Sequence, residues 1–403
     1  MQETRTRIGL FGMFGSGNFG NDGSLEAMLL FLRHVRPDAE LVCFCVDPEV
    51  VQATYRVSAV PIGSLGSASR TLRLMDKLLL SVPHRLVNLV RAFWHVRRLD
   101  VMIIPGTGIL DDFATGPFGA PYALFRWCLA ARLCGTRIGF VSIGAGPIHH
   151  PLSRWFMKSA LRMAHYRSYR DRISRDFMQG IGFDASCDPV YPDIASKLPS
   201  PPVPERRGCC EHPVTVGIGV MAYYGWRNDA QRGASLYQDY LNKLASFCLW
   251  LFEQGHRVRI LMGETTDQRA VDDLLDAISV EHPTLEENRI DAEPANSLHD
   301  LMRQMAETDV VVATRFHNVV CALKLGRPTV SIGYARKNEV LLSEAGLGEF
   351  CQTVENLDVD RLKRQFNTLL LNREHYEHAI QETNHAREAN LRLQDAKLIS
   401  ELL

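Results

Sequence analysis

Short apolar runs recur along the chain, and most are followed by a glycine-rich or polar loop and then by apolar residues at helical spacing. The first run is Arg7–Met13, after which come the loop GSGNFGNDGS, a helix expected from about Ser24 to Val35, and a second run, Glu40–Val46. Asp100–Ile104 is followed by PGTGILDDF and a helix over Tyr122–Leu133. Arg137–Ile143 leads into GAGPIHH and a helix over Leu152–Met163, and Tyr166–Tyr169 into a helix over Ile173–Gly180. Continuous apolar runs of this kind read as strands buried on both faces, and their alternation with helices predicts a parallel, doubly wound sheet.

The alternation pauses at Lys197–Pro213 (KLPSPPVPERRGCCEHP), a proline- and charge-rich stretch without periodicity. It then restarts with strand Val214–Val220, helix Tyr237–Glu253, strand Arg257–Leu261, helix Asp267–Val280, a short strand near Arg289–Asp291 and a helix around Leu298–Met305. The pattern is α/β, with two Rossmann-like domains of similar size facing a cleft. The expected boundaries are 1–198, a linker at 199–213, 214–357, and a helical tail at 358–403. The tail leucines Leu391, Leu393, Leu398 and Leu402 suit packing back onto the first domain.

Composition narrows the picture. A chain of 403 residues favours two domains over one. With 45 basic against 46 acidic residues, a general nucleic-acid coat is excluded, so local clusters must carry any anion recognition. Ten cysteines are scattered without a C-x-x-C pair and read as reduced thiols. MQETRTRIGLFGMFG lacks the pattern of a signal peptide, and no long uncharged apolar run is present, so the expected location is cytoplasmic. One stretch departs from the alternation: 70–98 holds seven Lys/Arg and one acidic residue, Asp76, on an apolar background. It is a candidate for peripheral contact with an anionic membrane face. Core-packed helices with a solvated basic face are the alternative and rank ahead of it.

Several loops carry candidate chemistry. Gly15-x-Gly17-x-x-Gly20 after a strand, with Asp47 ending the second strand, has the form of a dinucleotide fingerprint. The loop is longer and more polar than a pyrophosphate turn needs, so a general ligand-facing loop including Asn18 fits better. Gly106 and Gly108, with Asp111 and Asp112, offer backbone N–H groups and a carboxylate base, or a turn with capping aspartates. His149 and His150 follow a glycine loop, but no local spacing supplies a metal site. Arg170 opens a helix directly after a strand and can grip an anion bidentately, or pair with Asp171 at the surface. Asp193 in Tyr191-Pro192-Asp193 is a candidate base or part of a turn. No G-x-x-x-x-G-K-[ST] loop, G-x-S-x-G elbow or H-E-x-x-H helix occurs.

The densest chemistry lies in Ala313–Lys337. Asp309–Val312 predicts a strand, Thr314 an N-cap, and Phe316, Val319, Val320 and Leu323 a helix ended by Gly326. Arg315, His317 and Asn318 then sit in the first helical turn on the carboxyl edge of the sheet, where α/β proteins bind anions. Lys337 follows the next strand on that edge.

Taken in order, GSGNFGN, GTGILDD, YRDRIS, YPDIA, TRFH and GYARK resemble the polysaccharide pyruvyl transferase family over about Gly9–Leu347. The resemblance implies a fold similar to the two-domain (GT-B) glycosyltransferases. It also implies transfer of pyruvate from phosphoenolpyruvate to two hydroxyls of a sugar, in a polysaccharide or exopolysaccharide or its lipid-linked precursor, with release of phosphate. Phosphoenolpyruvate is then a co-substrate, with no further cofactor and no metal. His317 is implied as the acid that protonates the enol carbon, and Arg170, Arg315 and Lys337 as groups holding the donor's charges. Where the family continues Asn-x-Gly directly with aspartate, this chain has Asn21 before Asp22. Two rivals remain: a nucleotide-sugar glycosyltransferase, for which Glu264 alone offers a ribose-reading group, and a silent glycan- or partner-binding protein. The acceptor sugar and the oligomeric state, homo-oligomer included, stay open.

Overall fold

A computed structural model describes residues 5–63, 82–112, 115–202, 213–225, 230–283 and 287–403. Most of the expected linker, and the part of 70–98 before residue 82, lie outside the described residues. The chain divides into two compact units, one of Met1–Ser16, Ser24–Ala195 and Asn390–Leu403, the other of Gly17–Gly23 and Ser196–Ala389.

The first unit is built on strands β1 (Arg7–Phe11), β2 (Glu40–Cys45), β3 (Ser58–Pro61), β4 (Val101–Pro105), β5 (Arg137–Ile143) and β6 (Tyr166–Tyr169). They pair in parallel in the order β3-β2-β1-β4-β5-β6. Helices α1 (Phe19–Val35), α2 (Pro48–Tyr55), α3 (Val82–Val96), α4 (Ala120–Leu133), α5 (Pro151–Arg162) and α6 (Arg172–Gly180) connect them. Residues of one strand alternate between two cores, as a pleat covered on both faces requires. Ile8, Leu10, Val101 and Ile103 enter one core, while Phe11, Met102 and Ile104 join Trp127 and Phe140 in the other. The chain's last leucines belong here: Leu391, Leu398 and Leu402 pack with Ile8 and Leu10. A Cβ at Gly139 would come within 2.2 Å of Leu402, so the sheet receives that side chain only because β5 carries glycine there.

The second unit repeats the topology. Its strands are β7 (Thr215–Gly219), β8 (Arg257–Leu261), β9 (Ile290–Asp291), β10 (Val310–Ala313), β11 (Thr329–Gly333) and β12 (Cys351–Thr353). Their parallel order is β12-β11-β10-β7-β8-β9. The helices are α7 (Ala230–Glu253), α8 (Gln268–Glu281), α9 (Leu298–Ala306), α10 (Phe316–Lys324), α11 (Arg336–Glu344), α12 (Val359–Leu371) and α13 (Arg373–Glu401), the last of which counts with the first unit from Asn390 on. In each sheet the strand order reverses beside the unit's first strand, at β1/β4 and at β7/β10, and the carboxyl end of such a reversal is where ligands settle.

Some local expectations are corrected. Helix α1 starts at Phe19 rather than near Ser24, because the Asn18 side chain accepts from the N–H groups of Gly20 and Asn21 and so caps it. The last glycine of G-x-G-x-x-G is therefore helical. Asp47 caps α2 through the N–H groups of Glu49 and Val50. Arg315, not Thr314, occupies the N-cap of α10, and the Thr314 hydroxyl lies buried 2.8 Å from that of Tyr240. Elements α2, β3, α11 and β12 were not foreseen. Among the described residues, no helix is long and apolar enough to cross a membrane.

Candidate active site

In the second unit, three strand ends are tied by one buried carboxylate. Asp267, fully buried, lies in the turn after β8. Its Oδ1 accepts from Arg315 Nη2 at 2.7 Å and from the Ala222 N–H at 3.1 Å, beyond β7. Its Oδ2 accepts from Arg315 Nε at 2.9 Å and from the Gly263 N–H at 3.3 Å. Arg315 Nη1 lies 2.8 Å from Glu264, which also accepts from the Asn18 amide at 3.1 Å. Burial works against the Arg315 charge, but the two carboxylates outweigh it and raise its pKa. The expected open cation is thus a guanidinium held by two acids. Asn18 is equally committed, its oxygen to the α1 cap and its nitrogen to Glu264.

The same loop positions His317. Phe19 N–H donates to Gly263 O at 3.2 Å and Thr265 N–H to Gly17 O at 3.0 Å, which seats residues 17–23 on the turn after β8. A Cβ on Gly20 would fall 1.9 Å from His317 Nδ1, so the imidazole occupies the space a side chain would need. The His317 ring also meets Phe316 edge-on at 5.3 Å. Lys337, in the first turn of α11, holds its ammonium 4.6 Å from the Tyr334 ring and 5.3 Å from the Phe316 ring. Among the described residues no carboxylate pairs with Lys337. Asn318, the third residue of α10, is fully buried, and neither of its amide atoms has a hydrogen-bond partner among the described residues. A desolvated amide in that state is costly. The sequence placed Asn318 in this turn but gave no sign of that need.

In the first unit, Arg170 follows β6 with its side chain 6% exposed. Its Nη1 lies 3.3 Å from Asp193 and its Nε 3.5 Å from Asp171. A Cβ on Gly144 would lie 2.6 Å from the guanidinium carbon, so β5's glycine loop is the floor on which the arginine rests. Gly108 comes within 3.6 Å of Arg170 Nη2 and 3.9 Å of Asp111 Oδ2, measured from the Cβ position it lacks. Asp193 is buried: Oδ2 serves Arg170 and Oδ1 accepts the Ala195 N–H. Asp112 accepts the N–H groups of His149 and His150, and His150 Nδ1 caps α5. Gly106, at φ +53, leaves room for Ile194 and accepts from the Ser24 hydroxyl, a packing role. The structure therefore brings Arg315, His317, Lys337 and Asn18 together in one unit, and Arg170, Asp193, Asp112, Gly106 and Gly108 in the other. Among the described residues no group of three or more His, Cys, Asp or Glu could hold a metal.

Comparison with solved structures places the fold. The chain is similar to MnaA of Staphylococcus aureus, solved with UDP (TM-score 0.57, 11% identity, covering 99% of this chain and 98% of that one). It is similar to the UDP-GlcNAc 2-epimerase of Methanocaldococcus jannaschii (0.57, 9%, covering 91% and 93%). It is also similar to the glycosyltransferase SnogD of Streptomyces nogalater (0.57, 13%, covering 98% and 99%). At such identity the likeness shows the fold alone, two Rossmann-like units in the manner of GT-B enzymes. A search of curated proteins finds no match. The model of one family, described as polysaccharide pyruvyl transferase, matches residues 18–336, a span that begins at the loop under His317 and ends beside Lys337. The chain belongs to the polysaccharide pyruvyl transferase family.

Proposed function

We propose that the protein transfers pyruvate from phosphoenolpyruvate to two hydroxyls of a sugar in a polysaccharide or its precursor, forming a cyclic ketal and releasing phosphate. The observation that carries this reading is the turn at the start of α10. There His317 rests on Gly20, Lys337 holds its ammonium over the ring of Phe316 with no carboxylate partner among the described residues, and Asn318 is buried with its amide unsatisfied. A donor with a phosphate and a carboxylate suits a lysine and a helix N-terminus.

In the proposed reaction His317 delivers a proton to the methylene carbon of the enol, which leaves cationic character on the carbon bearing the phosphate. One sugar hydroxyl adds to that carbon and gives up its proton. The second hydroxyl then displaces phosphate, and its proton leaves with the product. Lys337 and the α10 N-terminus hold the donor's anionic groups, and Asn318 contributes its amide. Arg315 acts through position, fixing the turn that carries His317. We assign the acceptor sugar to the first unit, where the oxygens of Asp112 and Asp193 are engaged by backbone N–H groups and by Arg170.

The test is direct. The protein is incubated with phosphoenolpyruvate and a panel of nucleotide- and lipid-linked sugars, and phosphate release and acceptor mass are followed. Loss of the acid in His317→Ala is expected to lower turnover by roughly 10²–10⁴-fold. Undiminished phosphate release in that variant sinks the assignment. Release of nucleoside diphosphate from a sugar nucleotide, the ligand class of several structural relatives, moves the reading to a glycosyltransferase.

A further inference from the structure

Helix α3 is apolar on two faces. Ala92 and Val96 point into the core of the first unit and are fully buried. On the opposite side Leu86 is 60% exposed, Val87 64%, Val90 55%, Phe93 43% and Trp94 59%. The spacing i, i+1, i+4, i+7, i+8 puts all five on one stripe. Single exposed apolar residues are ordinary, but a contiguous stripe of five on one helix marks a surface that something covers.

Charge identifies the cover. Arg85, Arg91, Arg97 and Arg98 frame the stripe, and Val82–Val96 contains no acidic residue. Arg97 lies flat on the Trp94 ring at 3.7 Å, and Arg85 on the ring of Phe118, itself 47% exposed, at 3.6 Å. Two guanidinium groups thus rest on exposed aromatic faces beside the apolar stripe, which sets positive charge next to apolar surface as anionic headgroups above acyl chains require. A second copy of this chain would set four arginines against four, with no carboxylate between them.

We infer that the outer face of α3 docks on an anionic lipid bilayer. The bilayer takes Leu86, Val87, Val90 and Trp94 into its headgroup boundary, and the arginines pair with lipid phosphates. With the activity proposed above, and resting on it, this favours a lipid-linked acceptor, which a surface-bound enzyme meets in two dimensions.

The experiment reads binding, not turnover, so its outcome is independent of the pyruvyl assignment. The full-length protein is sedimented with vesicles of phosphatidylcholine alone and of equimolar phosphatidylcholine and phosphatidylglycerol. Binding is expected to the anionic vesicles only and to weaken with salt. Arg91→Ala with Arg97→Ala is expected to weaken it on the order of thirtyfold, from about fivefold per arginine. Val87→Glu with Trp94→Glu is expected to abolish it; Leu86→Ser with Val90→Ser gives the same reading if that pair melts early by circular dichroism. Failure to sediment with anionic vesicles at low salt overturns the inference, as does unchanged binding by these variants. A dimer in light scattering that Val87→Glu renders monomeric also overturns it, by showing that a second copy covers the stripe.

Discussion

Gly20 shows how a single missing side chain can determine where an imidazole, the proposed acid, sits. It sits in the first turn of α1, where alanine is favoured over glycine by about 1 kcal/mol on helix propensity alone. Gly20→Ala is therefore expected to keep the helix and to lose activity, because the new methyl occupies the position of His317 Nδ1. Full turnover in a folded Gly20→Ala protein argues against His317 as the acid. Arg315 and Lys337, read alike in the sequence as cations for the donor, separate in the structure. Asp267→Asn weakens a buried pair and is expected to destabilise by about 3–5 kcal/mol, visible as a lowered denaturation midpoint. Lys337→Met, at a half-buried ammonium flanked by rings, is expected to leave that midpoint within about 0.5 kcal/mol and to raise the KM for phosphoenolpyruvate. If both variants lose stability alike, Lys337 is a scaffold residue too. The sequence located Arg315 because a strand, a turn and a helix lie in immediate succession around it. It did not reveal Asp267 as the partner, 48 residues earlier, because an aspartate before a helix reads first as a cap.

At the scale of elements, strands were legible wherever burial on both faces made the apolar run continuous, as in β1, β4, β5 and β10. Element β12 escaped because three residues with one buried leave no pattern, and α2 because its helical spacing was too short to separate from a loop. The start of α1 was misplaced because three glycines around an asparagine cap look like a loop. Strand β5 carries a feature no pattern reveals. Ser142 has φ +48 where the β5–β6 register shifts, its N–H donates to the Ser168 hydroxyl at 2.9 Å, and its own hydroxyl accepts from Gln394 at 2.8 Å. A left-handed residue other than glycine costs about 1–2 kcal/mol. Here the buried amide of Gln394 holds it, one residue before Ile143, whose carbonyl receives the Arg170 N–H. Ser142→Gly removes the hydroxyl but relieves the backbone, whereas Ser142→Ala removes the hydroxyl and keeps the strain. Alanine is expected to lower the melting temperature more than glycine, the reverse of their usual order inside strands. The usual order in a melting experiment would show that the bulge is unstrained.

On the scale of the molecule, the duplicated strand order was legible because alternation stops in a proline-rich stretch and begins again. The exchange of segments was not: residues 17–23 count with the second unit and 390–403 with the first. Leu391, Leu398 and Leu402 are almost fully buried in the first unit's core. At about 1.5–3 kcal/mol for each such side chain, their removal takes away a large part of a typical domain's stability. Ending the chain at Ala389 is expected to melt the first unit at a markedly lower temperature while the second unit's transition stays in place, as two-transition calorimetry can read. A first unit that melts unchanged means that the three leucines add little there.

The place of those leucines bears on how the protein is made. Multidomain chains commonly fold from the amino terminus as they emerge from the ribosome. Here the unit whose strands are synthesised first is completed by residues that follow the second unit, because the face of the sheet around Gly139 stays uncovered until Leu402 reaches it. The second unit, whose segments are complete at Ala389, can close before the first does. Completion of the two units can thus run against the order in which their strands are synthesised, and a nascent chain stalled just after Ala389 leaves an apolar face of the first sheet uncovered.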